Sequence, residues 1–135
     1  MSKVPKNKYP YSGIIEYNYN YNPKTTMVIN YFTSVDTMIN TINNIRSIGD
    51  ELEIIVNNDK NGQGGEKIMK TLSHRNDRMI SCNDLAEKEG YHHGARLSNA
   101  SDFLIFCQDD DLAPPTNEWY LDCIKEFDND PKLGM

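Results

Sequence analysis

The sequence reads Met27-Val28-Ile29-Asn30-Tyr31-Phe32 where its first regular pattern begins. This short apolar run has the length and the β-forming residues of a strand. Ser34 follows as a helix cap, and Val35 opens an apolar series at helical spacing. Gly49 comes just after that series, where a helix C-terminus favours a left-handed residue. The sequence therefore predicts a strand followed by an amphipathic helix.

The same strand-and-helix unit recurs along the chain. Further strands are predicted over 52–57, 79–82 and 103–107, and further helices over 66–72, 84–100 and a last segment capped by Thr116. The run Phe103–Cys107 is apolar throughout, which is typical of a central strand buried on both faces. This alternation predicts an α/β fold, a Rossmann-like three-layer sandwich with a mostly parallel central sheet.

Composition narrows the classes of function. The chain has 135 residues, enough for one domain, and a formal net charge of −6. It contains no Lys/Arg run suited to nucleic acid and no apolar stretch of membrane-spanning length. Three widely spaced cysteines, Cys82, Cys107 and Cys123, indicate reduced thiols, with packing roles expected for the last two. We expect a cytoplasmic protein with no nucleic-acid partner and no membrane span.

The chain divides into two unequal parts. Residues 1–25 carry little apolar periodicity and are predicted to be a partly ordered lead-in to a domain over 26–135. The lead-in contains the alternating tract Tyr17–Asn22, which fits an edge strand and a low-complexity arm equally well. The chemistry is therefore expected in the domain rather than in the lead-in.

Polar residues follow each predicted strand, at Asn30–Ser34, Asn57–Asp59, Asn83–Asp84 and Asp109–Asp111. The carboxyl ends of parallel strands meet at one edge of the sheet, and ligands bind outside that edge. Three adjacent aspartates repel one another unless a cation or hydrogen-bond donors offset their charge. Their oxygens suit Mn²⁺ or Mg²⁺. The sequence predicts a divalent metal site here, with a solvated acidic turn as the alternative.

Several segments, taken in order over about 26–135, resemble the N-terminal half of family-2 glycosyltransferases with the GT-A fold. The most specific is Ala100–Pro114, which is similar to the family's apolar strand followed by Asp-x-Asp, two residues and Pro. Glu53–Asp59 resembles the family's second strand, and Met27–Ile45 matches the outline of its opening strand and helix. Asp130–Met135 looks like the family's lead into its next strand.

The resemblance implies a metal-dependent glycosyltransferase, inverting in mechanism. It would bind a nucleoside-diphosphate sugar linked to UDP, GDP or dTDP through Mn²⁺ or Mg²⁺ and transfer the sugar to a hydroxyl of a sugar or glycan acceptor. The nucleotide-binding residues implied are Thr33, Asn58, Asp59, His93, Arg96, Asp109 and Asp110. The metal ligands implied are Asp109 and Asp111.

The acceptor-binding half, which supplies the catalytic base in this family, is expected to be missing from this chain. No catalytic residue is therefore predicted. We also expect apolar surface where that half would pack, and a homodimer covering it is a hypothesis. For His93 and its neighbour His92, a polar helix face is the alternative to a nucleotide contact.

Two other classes of protein compete with this interpretation. A sugar-1-phosphate nucleotidyltransferase needs a Gly-rich loop with Arg or Lys after its first strand, and Asn30–Asp36 contains none of these residues. A non-catalytic nucleotide-binding or α/β interaction module would carry the aspartates only as a solubilising loop. Metal-dependent nucleotide binding distinguishes a donor site from a purely solubilising loop.

Overall fold

The computed structural model describes residues 13–14, 23–49, 52–59, 64–72, 77–81, 86–100 and 102–133. Within these ranges the strands are β1 (Gly13–Ile14), β2 (Thr25–Tyr31), β3 (Leu52–Asn58), β4 (Arg78–Ser81) and β5 (Phe103–Gln108). The α-helices are α1 (Val35–Ile45), α2 (Gly65–Thr71), α3 (Ala86–Arg96) and α4 (Glu118–Asn129), and a 3-10 turn, Arg46–Ile48, follows α1. The predicted alternation of strands and helices over 26–135 is confirmed.

The strands form one sheet in the order β1-β4-β3-β2-β5. Only the two-residue β1 is antiparallel, and β4, β3, β2 and β5 run parallel to one another. Across the sheet, the four parallel strands are the third, second, first and fourth in chain order. The first four strands of the Rossmann fold have the same order. The predicted α/β fold class, with its mostly parallel central sheet, is confirmed.

One face of the sheet carries the main hydrophobic core. Alternate residues of β2, such as Ile29, point to this face and pack with Ile42 of α1 and Ile68 of α2, all fully buried. Tyr120 of α4 joins the same cluster, and its hydroxyl lies 2.7 Å from the Thr25 hydroxyl at the start of β2. Thus α1, α2 and α4 cover one face.

The opposite face of the sheet is covered by α3, which approaches it at two glycines. A Cβ added at Gly94 would lie 2.3 Å from a methyl group of Val28 on β2. A Cβ added at Gly90 would lie 2.4 Å from the side-chain oxygen of Asn30, two residues farther along the same strand. Only glycine permits so close an approach of helix to sheet. Helices on both faces complete the predicted three-layer sandwich.

The position of β5 corrects one prediction. Its apolar run predicted a central strand buried on both faces, but among the described strands it lies at the end of the sheet, beside β2. Leu104 and Phe106 are 44% and 46% exposed on the face that α3 only partly covers, where Tyr91 reaches the Phe106 ring. An apolar run indicates the chemistry of the side chains and does not indicate the position of the strand in the sheet.

The predicted homodimer stays a prediction.

Two details of the last helix also differ from prediction. The helix α4 begins at Glu118 with Asn117 at the N-cap position, one residue later than capping by Thr116 predicts. Cys123 is exposed, so its predicted packing role is wrong, whereas Cys107 is half-buried against the core as predicted. A helical face that is apolar in sequence need not be covered over its whole length.

Some predicted features lie outside the described residues, namely the tract Tyr17–Asn22 and the pair Asn83–Asp84. Within the predicted lead-in, residues 13 and 14 form β1 and pair with β4. The helix predicted over 84–100 is described over Ala86–Arg96. None of the helices in the described ranges is long and apolar enough to cross a membrane.

Candidate functional site

The carboxyl ends of β3, β2 and β5 lie side by side, because β2 pairs with both of the other strands. The backbone N–H of Asp59, just after β3, donates to the Tyr31 carbonyl at 3.0 Å. The backbone N–H of Asp109, just after β5, donates to the Asn30 carbonyl at 3.1 Å. The polar segments at 30–34, 57–59 and 109–111 therefore share one edge, as predicted.

This edge coincides with the reversal of strand order in the sheet. The helix that follows β2 is α1, on one face, and the helix that precedes β5 is α3, on the other face. In open α/β sheets a ligand binds in the crevice at such a reversal of strand order, outside the carboxyl ends of the strands. The segments that border this crevice are the β2–α1 loop, residues 32–34, and the loop that follows β5, residues 109–113.

Asp109 joins these two loops. Its side-chain oxygen Oδ2 accepts hydrogen bonds from three consecutive backbone N–H groups, those of Phe32, Thr33 and Ser34, at 2.9, 2.7 and 2.7 Å. The residue is only 8% exposed. Ser34 takes the predicted N-cap position of α1, but its side chain makes no capping hydrogen bond. The carboxylate of Asp109 instead binds the three amides that come just before the first helical residue, Val35.

The next two aspartates differ from Asp109 in exposure. Asp110 and Asp111 are both exposed. Asp111 turns its Oδ2 back onto the backbone N–H of Gln108 at 2.8 Å, and its carbonyl accepts the Thr41 hydroxyl of α1 at 2.8 Å. The same Thr41 oxygen accepts the backbone N–H of Ala113 at 3.2 Å. The backbone of the acidic loop is thus held against α1 while two carboxylates face solvent.

The negative charge of this loop affects two buried groups. The pKa of the Cys107 thiol is raised to about 12, first by burial and then by the charges of Asp111 and Asp109. The pKa of the Tyr31 hydroxyl is also raised, first by burial and then by Asp109. Both groups therefore stay protonated and neutral at pH 7. The two aspartates of the predicted Asp-x-Asp pair lie near enough to act on the same thiol.

The acidic loop suits a metal ion that completes its shell with other ligands. In the described part of the chain, no group of three or more His, Cys, Asp or Glu side chains could hold a metal ion by itself. Mg²⁺ commonly takes one or two carboxylates and fills the rest of its octahedron with water and substrate phosphates. Asp110 and Asp111 match that donor set, because both are exposed carboxylates at the edge of the crevice.

The structure brings some predicted nucleotide-binding residues to this edge. Thr33 is exposed in the β2–α1 loop, next to Asp109. Asn58 is the last residue of β3, and Asp59 follows it, both buried. Thr33, Asn58, Asp59 and the three aspartates therefore occupy neighbouring loops.

The residues predicted on α3 are placed differently. The helix runs back along the sheet, because Gly90 lies over Asn30 near the carboxyl end of β2 and Gly94 lies over Val28. Arg96 lies two residues beyond Gly94, farther along the helix from Gly90, and is exposed. His92 is exposed and His93 is half-buried. The nucleotide contacts implied for His93 and Arg96 stay predictions, and the position of Arg96 gives its contact no support.

Sequence reasoning missed a buried polar pair beneath the crevice. The side-chain amide of Asn57 donates to the side-chain oxygen of Asn30 at 2.7 Å. The two asparagines are register partners on β3 and β2, and Asn57 is fully buried. One signal was present in the sequence: both apolar strands contain an Asn at the same distance from their polar loop.

Comparisons of this chain with protein-family models, with curated proteins and with solved structures find no match. The strand order establishes the fold class, and the residues at the crevice and the sequence motifs are what bear on function.

Proposed function

We propose that this chain is the nucleoside-diphosphate-sugar-binding part of a metal-dependent glycosyltransferase. In this proposal Mn²⁺ or Mg²⁺ is held at the loop of Asp109, Asp110 and Asp111 and binds the donor diphosphate. The donor sugar passes to a hydroxyl of a sugar or glycan acceptor, with inversion. Donor binding is assigned to this chain, and no residue of it is assigned as the catalytic base.

The observation that carries the proposal is the occupation of the β2–α1 loop by Asp109. In Rossmann dinucleotide-binding proteins, amides at the start of the first helix bind the pyrophosphate directly. Here the amides that lie just before the first helix, those of residues 32–34, already donate to a carboxylate. A diphosphate at this crevice would meet negative charge, and a bound cation would reverse that local field. The arrangement favours cation-mediated binding over direct binding by amides.

Asp110 and Asp111 are the carboxylates best placed to recruit that cation. Both are exposed, and Asp111 has a backbone held by α1. A divalent ion at this position would offset charge developing on the diphosphate leaving group as the glycosidic bond breaks. This is the chemistry that a glycosyltransferase of this kind requires from its metal.

The base and the ribose of the donor would lie toward β3. Asn58 ends that strand and Asp59 follows it, and the backbone hydrogen bond from Asp59 to Tyr31 joins them to the crevice. Thr33 would contact the nucleotide from the β2–α1 loop. These roles follow the resemblance of Glu53–Asp59 and of the Thr33 region, and their common edge in the structure supports them.

The test is a calorimetric titration of UDP, GDP and dTDP with the full chain, once with Mn²⁺ and once with EDTA. We expect one nucleotide to bind with Mn²⁺ only. Asp111→Asn should weaken that binding by roughly tenfold or more, because an amide replaces an anionic metal ligand. Asp128→Asn is the matched control, since it makes the same change at an exposed site on α4.

Two results would overturn the proposal. Folded wild-type protein that binds none of the three diphosphates with Mn²⁺ would leave the aspartates as a solvated turn. Binding that persists with EDTA and in Asp111→Asn would exclude the metal-mediated site. Circular dichroism of each variant at the titration temperature checks that the fold is retained.

A further inference from the structure

The three aspartates of the acidic loop do not have equivalent surroundings. One oxygen of Asp109 accepts three backbone N–H groups and the residue is 8% exposed. The carboxylate of Asp111 accepts one backbone N–H, also on a single oxygen, and the residue is exposed. A carboxylate has about four lone-pair positions over its two oxygens. Oδ2 of Asp109 is therefore filled by amides in a buried residue, whereas Asp111 accepts a single amide and its side chain is open to solvent.

We infer that Asp109 is a positioning residue of the donor site and that the metal ligands are Asp111 and Asp110. This inference rests on the proposed function. Asp109 fixes the β2–α1 loop against the loop that follows β5. The distance between the two loops that border the crevice is therefore fixed. The buried carboxylate of Asp109 is thus committed to joining the two loops, whereas Asp110 and Asp111 beside it are exposed.

The positioning role requires a hydrogen-bond acceptor at position 109 and does not require a negative charge there. An asparagine at position 109 can place its side-chain oxygen where Oδ2 now lies and accept the same three N–H groups. It removes the negative charge and changes almost nothing in shape. An asparagine at position 111 preserves the bond from the Gln108 amide in the same way but gives a much poorer metal ligand. The same substitution should therefore have different effects at the two positions.

The first experiment compares Asp109→Asn, Asp109→Ala and Asp111→Asn in titrations of UDP, GDP and dTDP with Mn²⁺ present. We expect Asp109→Asn to keep the wild-type Kd within about threefold, and Asp109→Ala and Asp111→Asn each to raise it by about tenfold or more. Rescue by asparagine at 109, without rescue by asparagine at 111, is the signature of a positioning role. A loss in Asp109→Asn as large as in Asp111→Asn would make Asp109 a metal ligand and overturn the inference.

A second experiment needs no ligand and separates this inference from the proposed function. Amide hydrogen exchange, followed by NMR, reports on the N–H groups of residues 32–34. We expect exchange to speed up by roughly tenfold or more in Asp109→Ala, and to change little in Asp109→Asn and Asp111→Asn. Equal exchange in the wild type and Asp109→Ala would overturn the inference whatever the protein binds. Protection by Asp109 without any nucleotide binding would instead overturn the proposed function.

Discussion

Asn57 donates a hydrogen bond of 2.7 Å from its side-chain amide to the side-chain oxygen of Asn30, its register partner on β2. The pair lies between the sheet and α3, where Asn57 is fully buried. The Asn57 oxygen has no hydrogen-bond partner among the described residues. Gly90 covers the pair so closely that a Cβ there would lie 2.4 Å from the Asn30 oxygen. The polar pair and the glycine thus form one packing unit under the candidate crevice.

Gly90→Ala is expected to destabilise the protein although alanine favours helices. The gain in helix propensity is about 0.5–1 kcal/mol. The new methyl group would overlap two hydrogen-bonded amides, and overpacking of a buried site costs about 1–3 kcal/mol. We therefore expect a net loss of about 1–2 kcal/mol in the free energy of unfolding, measured by urea denaturation.

Glu89→Ala serves as the control for Gly90→Ala, because Glu89 is the exposed neighbour on the same helix. It should change the free energy of unfolding by less than about 0.5 kcal/mol. If Gly90→Ala proved as stable as the wild type, the close contact of α3 with the asparagine pair would be wrong.

The second glycine contact offers a double-mutant cycle. A Cβ at Gly94 would lie 2.3 Å and 3.1 Å from the two methyl groups of Val28. We expect Gly94→Ala to cost about 1–2 kcal/mol net, because overpacking again exceeds the gain in helix propensity. Val28→Ala removes both methyl groups and leaves a cavity in the buried sheet face. Because each change compensates the other, the double variant should be more stable than the sum of the single effects predicts.

The measurement is urea denaturation of the wild type, the two single variants and the double variant. A favourable coupling energy of about 1–2 kcal/mol is expected for two groups in direct contact. Simple additivity of the two losses would mean that residues 94 and 28 do not touch.

Sequence patterns predicted the strands and helices of the domain because burial sets their spacing. The helix α1 ends at Ile45, and the 3-10 turn that continues it ends at Gly49, whose φ of 92° is positive as predicted. The strands β2 and β3 overlap the predicted apolar runs. The place of β5 in the sheet could not be predicted this way. Its side chains are apolar on both faces, yet Leu104 and Phe106 are nearly half exposed. Hydrophobicity identifies strands, whereas pairing depends on how the connections cross the sheet.

The candidate site was predicted to the level of its loops. Parallel strands bring their carboxyl ends together, so the convergence of residues 30–34, 57–59 and 109–111 followed from the strand assignment. The different surroundings of the three aspartates did not follow from the strand assignment, because Asp109 binds amides 75 to 77 residues earlier in the chain. Contacts between residues so far apart in the chain cannot be predicted from local sequence patterns. The close contacts of Gly90 and Gly94 with β2 could not be predicted either, because a glycine in a helical segment does not indicate what packs beside it.

Glu53 is expected to be essential for stability although no motif includes it in a functional role. It is fully buried on β3, where Oε1 accepts the Thr26 hydroxyl and the Asn99 backbone N–H, each at 2.6 Å. The Arg78 guanidinium lies 3.5 Å away and is itself buried. Glu53→Ala would leave that charge without its carboxylate. We expect a loss of about 3–5 kcal/mol in the free energy of unfolding, the usual cost of breaking a buried ion pair.

Glu53→Gln separates charge from hydrogen bonding in this cluster. Its side-chain oxygen can still accept from Thr26 and Asn99, so the loss should be smaller than for Glu53→Ala. Glu126→Ala, at an exposed position on α4, is the control and should change stability by less than about 0.5 kcal/mol. If Glu53→Ala and Glu126→Ala had the same melting temperature, the buried cluster around Glu53 would be contradicted.

The two described cysteines should differ in reactivity toward an alkylating agent at pH 8. Burial, Asp111 and Asp109 raise the pKa of Cys107 to about 12, so its reactive thiolate should be only about one part in ten thousand. Cys123 is exposed on α4. We expect Cys123→Ser to reduce labelling by iodoacetamide, measured by mass spectrometry, and Cys107→Ser to leave it unchanged. Rapid labelling at Cys107 in folded protein would contradict its burial.

The same thiol predicts a loss of stability at alkaline pH. The pKa of Cys107 is about 12 in the folded protein and near its ordinary value of 9.0 once unfolded. Below pH 9 both states hold the proton, so the full stability is present. Between about pH 9 and 12 the unfolded state loses the proton first, and stability falls by up to about 1.4 kcal/mol per pH unit. Cys107→Ser removes this titration, so its urea midpoint should fall less between pH 8.5 and 10.5 than that of the wild type. Tyr31 titrates in both proteins and affects them equally. If the urea midpoints of the wild type and Cys107→Ser fell by the same amount, Cys107 would contribute nothing to the alkaline loss of stability.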